Sequence, residues 1–507
     1  MMNILLILFL PIISIVGVSL LRKNSLLVKY LPISINILSL ILLLGFITNE
    51  QLLINNSFDS LNINLYTLIE AFNINMSFEI TRMSILLLTL AHLTILTAFF
   101  STIKISERLL ELNILISLIS IGIYGLIISN NLFVFFLFYE IAAIPIFLMI
   151  SNWGYNLKRE ISGPFKKILT SFGVGSNKYA SYKITIYLFI ASILIFFGLA
   201  MIAVNIGSFE ISIITKNLDN SILTSPLVFL MLVIGFGCHS ALWPFHTWAP
   251  DGHGSAPTAG SIIFAGVLMK IGLIGFIKII IPLMPKMVIE YRDLIIILAS
   301  INVLYGALTA MRQDDLKYMA AYASLSHIGY IFIALMTSNS TGINGGLIQI
   351  VSHGLIICLL FFCVGSIHKL KGTRSIKELS SMLDNSPILS YFFIFTAFAS
   401  IGFPLTSGFI AEFLIINGIH EFSYDSAYRL LLLFVPIIGI FFTTIYMFRA
   451  VKNCCFRYNE NGKSIIDFSR HEIAICLILV TVILIIGVFP TLIQELLGNS
   501  YERLLLK

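Results

Sequence analysis

Runs of about twenty apolar residues, enough to cross a hydrocarbon core of roughly 30 Å, recur along this 507-residue chain from its first residues nearly to its last. Fourteen spans can be drawn, near 2–21, 28–48, 83–103, 109–129, 131–152, 183–206, 225–243, 257–282, 293–311, 316–338, 343–368, 387–420, 429–450 and 471–495. Lipid offers no partner to an open backbone N–H or C=O, so each span has to be helical. The expected fold class is all-α, a single polytopic membrane helical bundle. No stretch is left for a water-soluble enzyme domain. Composition agrees: 58% of residues are hydrophobic and 11% charged, against about 25% charged in soluble domains. The first run has no charged leader and no small-residue cleavage pattern, so it reads as a retained helix.

Lys and Arg fall unevenly between the spans. The odd-numbered connections and their flanks hold 22 of the 31, the even ones and both ends hold 8, and Lys270 lies within a span. The positive-inside rule then places the odd connections on the matrix or cytoplasmic side and both termini opposite. The net charge of +6 is dispersed over loops, which speaks for membrane orientation and against a nucleic-acid partner. Cys238, Cys358, Cys363, Cys454, Cys455 and Cys476 form no CxxC pair; they read as small apolar packing residues, without a disulfide framework or cluster site. The abundance of Ile, Asn and Lys has the character of an AT-rich organelle genome.

Two spans are interrupted. The twelfth, 387–420, would measure about 50 Å as one helix, and its middle reads Gly402-Phe403-Pro404 and Ser407-Gly408. The seventh runs through Trp243-Pro244 into a half-polar stretch ending at Asp251-Gly252-His253. Interruptions five helices apart mark repeated transporter halves. The expected organisation is 1–108 (spans 1–3), 109–282 (spans 4–8), 293–450 (spans 9–13) and 451–507 (span 14). Unwound backbone at membrane depth has to face protein or water, so both breaks predict an aqueous path.

A charge at the centre of a span costs about 2.5–3.5 kcal/mol on insertion scales. Three are found, Glu140, Lys270 and Glu412, and the imidazoles of His239, His327 and His353 join them. Any one of these is explicable as a structural ion pair or a satisfied core group; together, in six different spans, they point to function. His92 reads as structural. His246, Asp251 and His253 read as a Pro-flanked turn rather than metal ligands, and Arg312, Asp314, Asp315 and Lys317 as a solvated connection. Neither a Gly-rich phosphate loop nor a haem ligand pair gives nucleotide or redox chemistry a seat. A row of Glu, Lys and His suits proton transfer, because desolvation opposes the charged form of acid and base alike and draws their affinities together. Moving a proton against the potential costs about 2.3 kcal/mol per 100 mV, so the energy has to come from elsewhere.

These residues resemble the antiporter-like membrane subunits of respiratory complex I, the NADH–ubiquinone oxidoreductase. The resemblance runs through spans 3–14 and is carried by Phe138-Tyr139-Glu140 with Ile144-Pro145, by Pro244 to Asp251 with His253 and Ala256 to Ser261, by Leu268 to Gly272, by Ser352-His353-Gly354-Leu355 and by Ser407 to Leu414. Glu at 412 favours the chain 4 group over its sisters, which usually carry Lys there. The resemblance implies antiporter-like inverted repeats and assigns proton-relay roles: Glu140 couples to a neighbouring subunit, Lys270 is the central carrier, His327 and His353 connect, and Glu412 serves the exit. It implies sister antiporter-like chains and other membrane-arm subunits as partners, within membrane lipid. NAD, FMN, iron–sulfur clusters and ubiquinone are expected in other subunits and none in this chain.

Two departures stand out. Five residues before Pro244 the family normally places a Lys that pairs with the Glu of the fifth span, and His239 takes its position, expected here as the partner of Glu140. Residues 156–182 look like an insertion, where the family has a short basic loop. A stand-alone cation/proton antiporter subunit shares many of these motifs, and a structural subunit with a lapsed channel would also fit the His239 departure.

Overall fold

The computed structural model describes residues 2–49, 60–70, 74–156, 170, 173–422, 426–457 and 467–498. Its helices are α1 (Met2–Leu20), α2 (Ser25–Asn49), α3 (Arg82–Thr102), α4 (Leu109–Ile128), α5 (Leu132–Trp153), α6 (Asn177–Ile206), α7 (Pro226–His239) and α8 (Trp248–Ser255). There follow α9 (Thr258–Leu283), α10 (Pro285–Arg312), α11 (Leu316–Met336), α12 (Ser340–Lys371), α13 (Pro387–Ser400), α14 (Ser407–His420), α15 (Ser426–Val451), α16 (Arg470–Val488) and α17 (Pro490–Leu497). Eleven helices are long and apolar enough to cross a membrane. With α1, the broken pair α7–α8 and the broken pair α13–α14, the described residues make the fourteen traverses expected.

Two boundaries differ from expectation, each for a local reason, and one connection holds an element not expected. The helix of the ninth span, α10, begins at Pro285, directly after Met284, because proline is preorganised for the first helical turn; Lys286, Glu290 and Arg292 therefore lie on helix and not in a loop. The last span stops at Val488, where Pro490 removes a backbone donor and starts the separate α17. In the second connection, β1 (Leu61–Ile69) pairs antiparallel with β2 (Ile74–Ile80), a hairpin that the hydropathy pattern concealed. Of the supposed insertion, residues 157–169, 171 and 172 lie outside the described residues; α6 begins at Asn177 under an N-cap from Ser176.

The core lies around three helices. The most apolar stretches of α9, α11 and α12 are 94%, 94% and 100% buried within the protein, against 28% for α16. A helix apolar on every side and covered on every side has no lipid face. A polar side chain buried within these stretches therefore faces another helix. Close approach between α12 and α14 rests on small residues: Gly345 lies against the backbone of Leu414 and Ile415, and Gly418 against Gly342.

Candidate functional site

The chain between α13 and α14 is unwound. Pro404 lacks a backbone N–H, and Gly402 and Leu405 are left-handed at φ 74° and 75°. A Cβ on Gly402 would collide with Oε2 of Glu412, so the missing side chain is what lets the Glu412 carboxylate fold back over the break. Glu412 sits in the second turn of α14, 7% exposed. Its Oε1 lies 3.8 Å from Nδ1 of His327 on α11, beyond a direct hydrogen bond and within reach through one water or a small rotation.

From His327 the row turns inward. Nε2 of Gln349, on α12, approaches the same His327 Nδ1 at 3.1 Å; with the amide as donor, the ring hydrogen stands on Nε2. The His327 and His353 rings are 5.3 Å apart between centroids, inclined at 38°. His353 Nδ1 lies 2.8 Å from Nζ of Lys270. A charged lysine only donates, so His353 then accepts at Nδ1 and carries its hydrogen on Nε2, a buried atom with no hydrogen-bond partner among the described residues.

Lys270 is 1% exposed. It lies between two π-helical turns of α9, Phe264–Leu268 and Phe276–Ile280, and its Nζ also donates to the carbonyl of Ala265 within the first. Such turns interrupt the regular ladder and recur at functional sites. No sequence period announced them. A cavity of about 10 Å³ for water centres lies among His327, Gln349, Ser352, His353, Gly408 and Glu412, which is room for about one water. Across it Ser352 Oγ meets Ser407 Oγ at 2.8 Å, tying α12 to the first residue of α14.

Lys270, His353, His327 and Glu412 are thus brought together from α9, α12, α11 and α14. Glu140 and His239 stand apart from them. Glu140 is half-buried on α5 and receives a hydrogen bond from Ser192 of α6. His239 does not pair with Glu140: its Nδ1 is 3.0 Å from the hydroxyl of the adjacent Tyr139, with the two rings in tilted contact at 4.9 Å. Successive residues of a helix point in directions about 100° apart, since 3.6 residues make a turn, so α5 offers α7 either Tyr139 or Glu140 and not both. The Leu268 carbonyl beside the His239 ring joins this pair to α9 two residues before Lys270.

Two further expectations are corrected. Lys317 is not in a solvated connection; it is fully buried in the first turn of α11. Asp251 is more than a turn residue: Lys183 of α6 pairs with its Oδ2 at 2.7 Å, and the Tyr318 hydroxyl donates to its Oδ1 at 2.9 Å. His253 stacks on Phe361 at 4.9 Å, and its Nδ1 has no partner among the described residues. His246 meets Tyr305 edge-on. His92 is buried, with Nδ1 2.7 Å from the Leu88 carbonyl and Nε2 2.7 Å from Ser39 Oγ, a satisfied core group as expected. The positions missed in the sequence include Gln349, one turn before His353 on the same face of α12. A polar residue at that spacing was the available signal.

Residues 129–443, which include every candidate from Glu140 to Glu412, match the family described as NADH:quinone oxidoreductase/Mrp antiporter, transmembrane. Among curated relatives, NADH-quinone oxidoreductase subunit M of Rickettsia typhi is 30% identical over 510 residues, covering 98% of each chain. NAD(P)H-quinone oxidoreductase chain 4 1 of Synechococcus elongatus is 29% identical over 425 residues, 83% of this chain and 76% of that one. A chain in the solved respiratory complex I of Thermus thermophilus with bound NADH shares the fold, with a TM-score of 0.79 at 22% identity over 98% of this chain and 99% of that chain. The matched segment holds both helix breaks and the whole polar row, and the chain belongs to the NADH:quinone oxidoreductase/Mrp antiporter family of membrane proteins.

Proposed function

We propose that this chain is a proton-translocating subunit of the membrane arm of NADH:quinone oxidoreductase, passing protons along Lys270, His353, His327 and Glu412 with energy from redox chemistry in other subunits. The observation that carries this is the convergence of those four buried groups from four helices, with a 2.8 Å hydrogen bond at one end and a 3.8 Å approach at the other. Lys270 is the central carrier, the two imidazoles receive and return protons at opposite ring nitrogens, and Glu412 delivers them at the α13–α14 break. Glu140, half-exposed on α5, answers to a neighbouring antiporter-like subunit, and His239 with Tyr139 connects that face to α9.

NAD, FMN, iron–sulfur clusters and quinone belong to other subunits of the assembly. The chain divides into residues 1–108, the repeats 109–282 and 293–450, and 451–507. Basic odd connections and an organelle-like composition favour the mitochondrial inner membrane, with both termini in the intermembrane space.

The test is Glu412→Gln in the assembled complex, reconstituted with a pH-sensitive dye. Quinone reduction should persist while protons moved per electron fall, and Glu412→Asp should keep part of the ratio. An unchanged ratio for Gln would remove Glu412 from the path.

A further inference from the structure

The row above has a carrier and an exit but no group that takes up protons. On the side of the odd connections, four of these connections meet around the turn that follows α8. Its three successive carbonyls each hold a donor: Arg374 Nη1 at 2.8 Å on Gly254, the Tyr155 backbone N–H at 2.7 Å on Ser255, and Lys317 Nζ at 2.6 Å on Ala256. Among the described residues no carboxylate pairs directly with Lys317, and Asp315 acts on it only from beyond contact. The nearby Asp315 caps α11 and pairs with Arg374 at 2.8 Å. What faces Lys317 besides the carbonyl is the ring of Tyr155, 5.2 Å from Nζ, with Arg374 and His368 around that ring. Tyr155 is 39% exposed, so its ring, in contact with the buried ammonium, also reaches the surface. Burial pushes the Tyr155 hydroxyl above its ordinary range, with Arg374 opposing, so it stays a neutral donor.

Just before Ala256, whose carbonyl holds Lys317, stand two buried polar atoms without hydrogen-bond partners among the described residues, Ser255 Oγ and Nδ1 of His253. Such groups are ordinarily satisfied by water. The other nitrogen of His253 is 3.5 Å from the sulfur of Met269, the residue before Lys270, and His253 lies within electrostatic reach of both Lys317 and Lys270. A buried lysine without a carboxylate is costly, and an ammonium, unlike a guanidinium, can release its proton.

We infer that Lys317 is the loading group of this chain on its basic side, taking a proton from that side past Tyr155 and handing it through His253 to Lys270. This rests on the proposed function and supplies its intake. In the step, an Nζ–H bond of Lys317 breaks and the proton goes, directly or by one water at Ser255, to Nδ1 of His253. The neutral amine takes its replacement from solvent, and His253 passes its own proton to a neutral Lys270.

The experiment uses the assembled, reconstituted complex and reads protons moved per electron. Lys317→Arg keeps charge and donors but cannot discharge, so it should lose the same share of the ratio as Lys317→Met. Lys317→His should keep part of it, falling as pH on the basic side rises through the ordinary imidazole range of about 6.5. His253→Gln, which keeps a hydrogen-bonding end without titrating, should lose as much as Lys317→Met and stands in should the lysine variants not assemble. Full pumping by Lys317→Arg reduces Lys317 to a fixed charge and overturns the proposal, as does full pumping by His253→Gln. Lys270→Met and Glu412→Gln, measured alongside, separate the two readings: if they lose the ratio while Lys317 and His253 variants keep it, only the intake falls; if they keep it, the relay falls and the intake with it.

Discussion

Replacing Gly402 by alanine tests whether the α13–α14 break exists to house a carboxylate. The added methyl meets two costs. At φ 74° a residue with a Cβ is strained by about 1–2 kcal/mol. The methyl also lands on Glu412 Oε2, which has to withdraw by roughly 1 Å to reach ordinary contact near 3.5 Å; leaving a rotamer well costs about 0.5–1.5 kcal/mol. The total is about 1.5–3.5 kcal/mol, and the part that matters is the displacement, since misplacing a reacting group by about 1 Å can cost up to ~10²-fold. Proton pumping per electron should therefore fall steeply in Gly402→Ala with quinone reduction retained. Glu412→Asp shortens the acid by one methylene and clears the methyl, so the double variant should lose less than the two singles combined. A coupling of about 1 kcal/mol, or ~5-fold in pumping rate, is expected from residues in contact. Additivity within about 0.3–0.5 kcal/mol would mean that the glycine does not shape the Glu412 site.

Leu405, also left-handed and 61% exposed, gives the converse: Leu405→Gly should raise the thermal stability of the break by about 1 kcal/mol, and a lower melting temperature would show that its packing outweighs its strain. Lys270→Met removes a buried cation together with its bonds to Ala265 and His353; the loss of each bond and of the charge's desolvation cost oppose each other, so assembly should persist while pumping per electron falls, and full pumping would remove Lys270 from the path. For His239, the Tyr139 contact predicts that Tyr139→Phe reproduces most of the effect of His239→Leu on pumping; an effect of the histidine variant alone would place its partner elsewhere.

How much was legible follows from what each signal reports. Hydropathy reports transfer from water to lipid, so it located the fourteen traverses and both breaks. It is blind to the hairpin Leu61–Ile80, whose strands lie outside the spans, and to the π turns around Lys270, which arise from packing. Charge in an apolar run is conspicuous, and Glu140, Lys270 and Glu412 were found for that reason. Lys317 was missed because it stands next to Asp314 and Asp315, in a stretch that looks like any polar loop; only the meeting of distant connections at residues 254–256 buries it. The Glu140–His239 pairing failed on rotation about α5, which spacing along the chain cannot fix when two adjacent residues both have polar ends.

That rotation bears on how the two ends of the chain communicate. Glu140 turns toward Ser192 of α6, and the adjacent Tyr139 toward His239 of α7, so the two contacts are one residue apart on α5. From His239 the next neighbour is the Leu268 carbonyl, at the end of the π turn that also holds Ala265, the acceptor of Lys270. A π turn interrupts the regular i→i+4 ladder and recurs at functional sites. A change in it would withdraw the Ala265 carbonyl from Nζ and leave Lys270 its contact with His353, which in the proposed relay would favour passing the proton onward. Burial of α9 on every side leaves that turn little other freedom. Phe264–Leu268 therefore lies between the Tyr139–His239 pair and Lys270, joined to the first at the Leu268 carbonyl and to the second at the Ala265 carbonyl.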